Sequence, residues 1–126
     1  MAQDYRELKV WQRAVELTVL IYKLTQSFPK TELYGLTSQM RRSGVSIASN
    51  IAEGRGRASG GEFRQFLSIA RGSSCELLTQ IHVARALGLG NGSVLDEAEL
   101  RSNEISRMLL AFIQTLSKPA KSAARS

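Results

Sequence analysis

Two arginines and four glycines share the stretch NIAEGRGRASGGEF at residues 50–63. Such a composition suits a loop that cradles phosphate, and equally a turn between two helices. A dinucleotide loop requires GxGxxG directly after a strand. Here Gly54, Gly56, Gly60 and Gly61 break that spacing, and a helical pattern precedes them. A mononucleotide loop would add Gly-Lys-Ser/Thr, which is absent. The glycines are accounted for by turning: Gly54 or Gly56 ends one helix in the left-handed region, and Ser59 starts the next. Turning does not account for the arginines. Arg55, Arg57 and Arg64 gather near one end, where the N-terminus of the following helix adds free N–H groups and partial positive charge.

Charge is uneven along the chain. Its 126 residues hold 17 Lys and Arg against 11 Asp and Glu, a net of +6, which favours anionic partners. Residues 41–71 carry six arginines against Glu53 and Glu62, a net of +4, while the segments before and after carry +1 each. The six are Arg41, Arg42, Arg55, Arg57, Arg64 and Arg71, the candidate nucleic-acid-binding residues. Arg64 and Arg71 are seven apart and share a helical face, with Arg85 near the same line. Guanidinium groups fork onto phosphate oxygens better than ammonium groups do. A solvated face, or ion pairs with Glu53, Glu62 and acids of neighbouring chains, would explain the same residues. No RNA-binding signature with interleaved aromatics is present.

Little else suggests chemistry. His82 is the lone histidine and Cys75 the lone cysteine. One cysteine makes no intramolecular disulfide, and with one histidine it makes no ordinary zinc site. Cys75 reads as a small packing residue inside a helix. Glu53 reads as an ion-pair partner of Arg42, Arg55 or another chain. A di-iron bundle needs Glu-x-x-His, whereas Glu76 is followed at that spacing by Thr79. No catalytic residue, metal ligand or cofactor is therefore expected, nor an enzyme. No apolar run approaches the roughly 18 residues of a membrane span. The stretch MAQDYRELKVWQ is unlike a signal peptide, so a cytoplasmic, non-membrane protein is expected.

Helical periodicity sets the expected architecture. Val10, Ala14, Leu17, Ile21, Leu24 and Phe28 form one stripe, with Trp11, Val15 and Tyr22 beside it, and Pro29 ends the segment. The second stripe reads as buried contact and as a candidate oligomer interface. A second helix starts near Thr31 or Gly35 and carries Leu36, Met40, Ser43, Ile47 and Asn50, with Val45, Ala48, Ile51 and Ala52 alongside. Its small residues predict tight helix contact at Gly44 and Ala48. Buried Ser43 and Asn50 then need hydrogen-bond partners. Ser59 and Glu62 form a capping box that starts a third helix at Gly60. That helix carries Phe63, Leu67, Ala70, Ser74, Leu77, Ile81 and Ala84, and Gly88 follows its end. A fourth helix is capped by Ser93, has Asp96 and Glu97 in its first turn, and buries Ala98, Ile105, Leu109, Phe112 and Leu116. The expectation is an all-α, antiparallel up-down-up-down four-helix bundle over residues 1–117. Residues 118–126 read as a basic, disordered tail, with Lys118, Lys121 and Arg125 as a flexible supplement to the arginines.

Several strings, LKVWQRAVEL, FPKTELYGL, QMRR, SIASNIAEG and FLSIARGSSCEL, occur in this order. Together the chain resembles the bacterial four-helix bundle proteins, also called the 23S rRNA intervening-sequence protein family, over roughly residues 5–115. The resemblance extends to the accessory protein of diversity-generating retroelements, a basic pentamer thought to bind nucleic acid. It implies a homopentamer with a central channel and a link to RNA or DNA. The family's arginine pair falls on Arg41 and Arg42, and its NIAEG element on Asn50 to Gly54. Ser43-Gly44, Gly60-Gly61 and the longer basic tail depart from the family pattern. The function expected is a non-enzymatic homo-oligomer that binds nucleic acid, RNA rather than DNA, through phosphate contacts. The alternative is a protein-interaction scaffold whose arginines serve inter-subunit salt bridges.

Overall fold

The computed structural model describes residues 4–57 and 59–117. Four α-helices dominate it: α1 (Lys9–Thr25), α2 (Ser38–Arg55), α3 (Gly60–Ala86) and α4 (Gly92–Ser117), with no strand among the described residues. They contact one another in cyclic order, with α1 against α4 closing the ring. Cross-helix pairs show that every neighbouring pair is antiparallel. Thr25 meets Arg41 and Thr18 lies against Gly44. Ser46 meets Ser73, Ser74 meets Ser106 and Arg85 meets Asp96. Glu16 faces Arg101 while Arg13 faces Glu104. This is the expected up-down-up-down bundle. The basic tail, with Lys118, Lys121 and Arg125, lies outside the described residues.

The periodic stripes become the core. All six residues of the α1 stripe and all seven of the α3 stripe are buried. Ala98, Ile105 and Leu109 are buried in α4, while Phe112 and Leu116 pack at its margin. The end of α3 is closed by Gly88 at φ 72°, with Leu89 N–H donating to Ala84 and Gly88 N–H to Arg85. Those two bonds satisfy carbonyls that the last turn leaves without intrahelical partners. At the start of α3, Ser59 Oγ accepts from Glu62 N–H at 3.1 Å, as the capping box requires. No helix among the described residues is long and apolar enough to cross a membrane.

Local expectations are corrected at five places. Gly54 lies inside α2 and Gly56 takes right-handed helical angles, so neither ends that helix in the left-handed region. Gly54 is instead where α2 and α3 touch: a Cβ there would sit 2.5 Å from Phe66 Cβ. The fourth helix is capped not by Ser93 but by Asn91, whose Oδ1 accepts from the N–H groups of Ser93 and Val94. With the start moved back, Asp96 and Glu97 fall beyond the first turn. Cys75 is exposed rather than packed. Val45 is also exposed, because α2 turns it away from the core stripe. Finally, α2 does not run straight from residue 31 or 35. A 3-10 turn (Lys30–Glu32) and a π-type turn (Leu33–Thr37) precede it, broken by the non-helical backbone of Gly35.

Candidate nucleic-acid interface

The α2–α3 hairpin is held by close backbone approach at Gly54 and by a polar seam. Ser46 and Ser73 share a 2.8 Å hydrogen bond, and Asn50 Nδ2 donates to the Ser46 carbonyl at 2.8 Å. Asn50 is thus partnered within its own helix. With Ser46 level with Ser73, Arg71 falls midway along the hairpin and Arg64 near the closing turn. Arg41 and Arg55 are 14 residues apart on α2, about 21 Å at the helical rise. The six arginines are therefore spread along the length of the hairpin, with Arg41 and Arg42 at one end and Arg55, Arg57 and Arg64 at the other.

Their surroundings differ. Arg57 is neutralised: its Nη2 donates to Glu53 Oε2 at 2.7 Å, and Glu62 lies 4.0 Å away. Glu53 thus takes Arg57 and not Arg42. Arg57 also lies over the Phe66 ring, and Arg55 over the Phe63 ring at 5.3 Å. Arg64 is exposed and reaches only the carbonyl of Leu116, at 3.5 Å near the end of α4. Arg71 is half-buried, and its Nε–H meets no acceptor. Such an unmet donor costs about 1–3 kcal/mol. Arg41 Nε donates to Thr25 Oγ1 at 2.9 Å, and its guanidinium lies 4.6 Å from the centre of the Tyr22 ring. Arg42 is exposed. Among the described residues, Arg41, Arg42, Arg64 and Arg71 have no carboxylate within ion-pair distance.

Elsewhere Arg13, Arg85 and Arg101 are matched, while Arg107 on α4 and Lys9, Lys23 and Lys30 have no ion pair among the described residues. Arg85 donates to Asp96 at 2.8 Å and to Glu99 at 2.7 Å, chiefly the first of which raises its pKa above the ordinary value. Arg85 therefore does not extend the line of Arg64 and Arg71. Arg101 pairs with Glu97 and Glu16, and Arg13 faces Glu104. His82 is exposed beside Glu99 at 3.9 Å. The faces bearing α4 thus hold several paired charges, while four of the six hairpin arginines are unpaired. Exposed pairs of this kind contribute little to stability, but they neutralise the field locally.

Three of the sequence candidates concern association. Trp11 packs against the core and meets Tyr5 edge-on at 5.2 Å between ring centres. Val15 lines a shallow groove towards α4, together with Val19 and Leu20. Tyr22 diverges from both: it is 42% exposed and lines a groove between α1 and α2. That groove also holds Tyr34, a residue that sequence reasoning passed over. Tyr34 is 93% exposed, which no periodicity signals because it precedes the α2 stripe. The sign available in the sequence was an aromatic beside glycine in TELYGL, just ahead of Arg41 and Arg42. Among the described residues no group of His, Cys, Asp or Glu is clustered for a metal ion.

A family model described as 23S rRNA-intervening sequence protein matches residues 6–111. Among solved structures, the fold is similar to one from Bacteroides thetaiotaomicron, described as a protein with unknown function from the S23 ribosomal protein family. The two share a TM-score of 0.77 and 24% identity over 83% of this chain and 95% of that one. At that identity the likeness concerns the fold alone. No functionally curated protein matches the chain.

Proposed function

The chain belongs to the 23S rRNA-intervening sequence protein family, and we propose that it is a non-enzymatic, homo-oligomeric RNA-binding bundle of the cytoplasm. Its α2–α3 hairpin contacts phosphates, and RNA is preferred to DNA in keeping with the family's description. The carrying observation is a set of four hairpin arginines without carboxylate partners. Arg41, Arg42, Arg64 and Arg71 lack carboxylate partners, while Arg85 and Arg101 are each matched by two acids. A polyanion laid along the hairpin would meet cations that no internal acid screens. Repetition of that set in a homopentamer would add avidity without tight individual contacts. Trp11 and Val15, with Val19, are the residues assigned to subunit contact.

The test is RNA affinity against salt. Each phosphate contact on single strands contributes about 0.7 to the slope of log affinity against log salt, and about 0.9 on duplex DNA. Arg64→Gln with Arg71→Gln removes two contacts per chain, so the slope should fall by about 1.4. A flat salt response, or binding unchanged in the double variant, overturns the reading. The scaffold reading would then stand, with the same arginines paired across subunits.

A further inference from the structure

The groove between α1 and the start of α2 has features that phosphate binding alone leaves unexplained. Its volume is about 480 Å³, within the range of pockets that take small organic ligands. Tyr34 stands 93% exposed at its edge. Arg41 and Arg42 line it as well, and neither is neutralised. Thr37 lines it too, only 4% exposed, and its Oγ1 is buried without a hydrogen-bond partner. A buried hydroxyl left unmet is uncommon in folded proteins and asks for an explanation.

The groove is built rather than incidental. Glu32 Oε1 accepts the Leu36 N–H at 3.2 Å and so spends the nearby carboxylate on capping the turn. A Cβ at Gly35 would stand 3.1 Å from that same oxygen, so glycine permits the cap. The kink at Gly35, whose backbone is non-helical, sets Leu33 and Tyr34 off the α2 helix. Arg41 is held in place by Thr25 Oγ1 and the face of Tyr22. Neither partner is an acid, so the guanidinium is positioned while its charge is kept.

An occupant must therefore offer three things: a flat face for Tyr34, negative charge for Arg41 and Arg42, and a hydrogen-bonding group for Thr37. We propose that this groove receives one unpaired nucleotide of a bound RNA strand. Its base stacks on Tyr34, its phosphate meets Arg41 and Arg42, and a sugar or base edge satisfies Thr37 Oγ1. Proteins read RNA mainly at unstacked bases in loops and ends, through aromatic stacking of this kind. Bases inside a duplex are already stacked and cannot enter. This inference deepens the proposed function and rests on it, since it concerns which part of an RNA the basic hairpin selects.

The experiment compares a fluorescein-labelled ten-nucleotide single strand with a blunt RNA duplex of equal length, by anisotropy with the full chain. Tyr34→Ala should weaken single-strand binding by about ten-fold, in the range set by base–aromatic stacking. It should leave duplex binding and the salt slope unchanged. Tyr34→Phe keeps the ring and should restore single-strand affinity. Tyr34 is so exposed that neither variant should disturb the fold, which circular dichroism verifies. Equal loss on both RNAs, or no loss on either, overturns the inference. So does a change of oligomer mass on light scattering in Tyr34→Ala, which would make a second copy of the chain the occupant. Arg64→Gln with Arg71→Gln, outside the groove, separates the two levels. If that variant weakens both RNAs while Tyr34→Ala changes nothing, the groove inference fails and the phosphate reading survives. If that variant binds both RNAs as tightly as the parent, the phosphate reading fails.

Discussion

Replacing Gly54 by alanine tests what holds the arginine-bearing hairpin together. A Cβ at that position would lie 2.5 Å from Phe66 Cβ and 3.1 Å from Phe63 Cδ1. Ordinary carbon contacts lie near 3.5–4.0 Å, so the gap must open by about 1 Å. Phe66 Cβ is fixed to its own backbone, so no rotamer change relieves the clash, and α2 and α3 must separate. Overpacking of this kind costs about 1–3 kcal/mol. The better helix propensity of alanine offsets up to about 1 kcal/mol of that. Gly54→Ala should therefore be destabilised by about 1 kcal/mol net. Gly72, inside α3, has open space where a Cβ would go, so Gly72→Ala isolates the propensity gain and should be stabilised by about 1 kcal/mol. For a chain of this length 1 kcal/mol moves Tm by about 4 °C, so the variants should melt about 8 °C apart. Urea unfolding at one fixed protein concentration, followed by circular dichroism, measures the difference. Gly54→Ala as stable as Gly72→Ala would refute the close approach.

Two further outcomes are expected. Ser102 Oγ is buried without a partner among the described residues, so Ser102→Ala should raise stability by about 1 kcal/mol. A loss of stability in urea unfolding would mean that the hydroxyl is bonded after all. Asp4 accepts the side chain and backbone N–H of Arg6, which lower its pKa from 3.8 to about 2. A carboxyl depressed on folding supports the folded form above its unfolded pKa and loses that effect as pH falls through the folded one. The turn Tyr5–Glu7 should thus persist at pH 3, and a carboxyl titration by NMR with a midpoint near 3.8 would contradict the cap.

Where the sequence foretold the structure, the responsible signal was local and periodic. Leu17, Ile21, Leu67, Leu77, Ile81, Ile105 and Leu109 are wholly buried, because a repeat of three and four residues places them on one side of a helix. Ser59 and Gly88 act through the hydrogen bonds of their own turns, and those too were legible. Asn91 was missed because Ser93 is an equally good cap by type, and only the folded turn decides which side chain reaches the free N–H groups. The basic character of residues 41–71 was likewise a matter of counting.

What counting could not supply was which charges would meet. Arg57 has Glu53 one helical turn before it, a pair the spacing itself allows, whereas Arg64 finds only a carbonyl 52 residues away. Arg85 shares a helix with Arg64 and Arg71, yet α4 brings it two acids. Helix formation depends on neighbours within about four residues, so the sequence alone determined four amphipathic helices and a surplus of arginine. The ion pairs of Arg13 and Arg85, and the groove, depend on side chains brought together from different helices. Only the packed bundle decided that Arg41, Arg42, Arg64 and Arg71 keep their charge and that Tyr34 stands beside two of them.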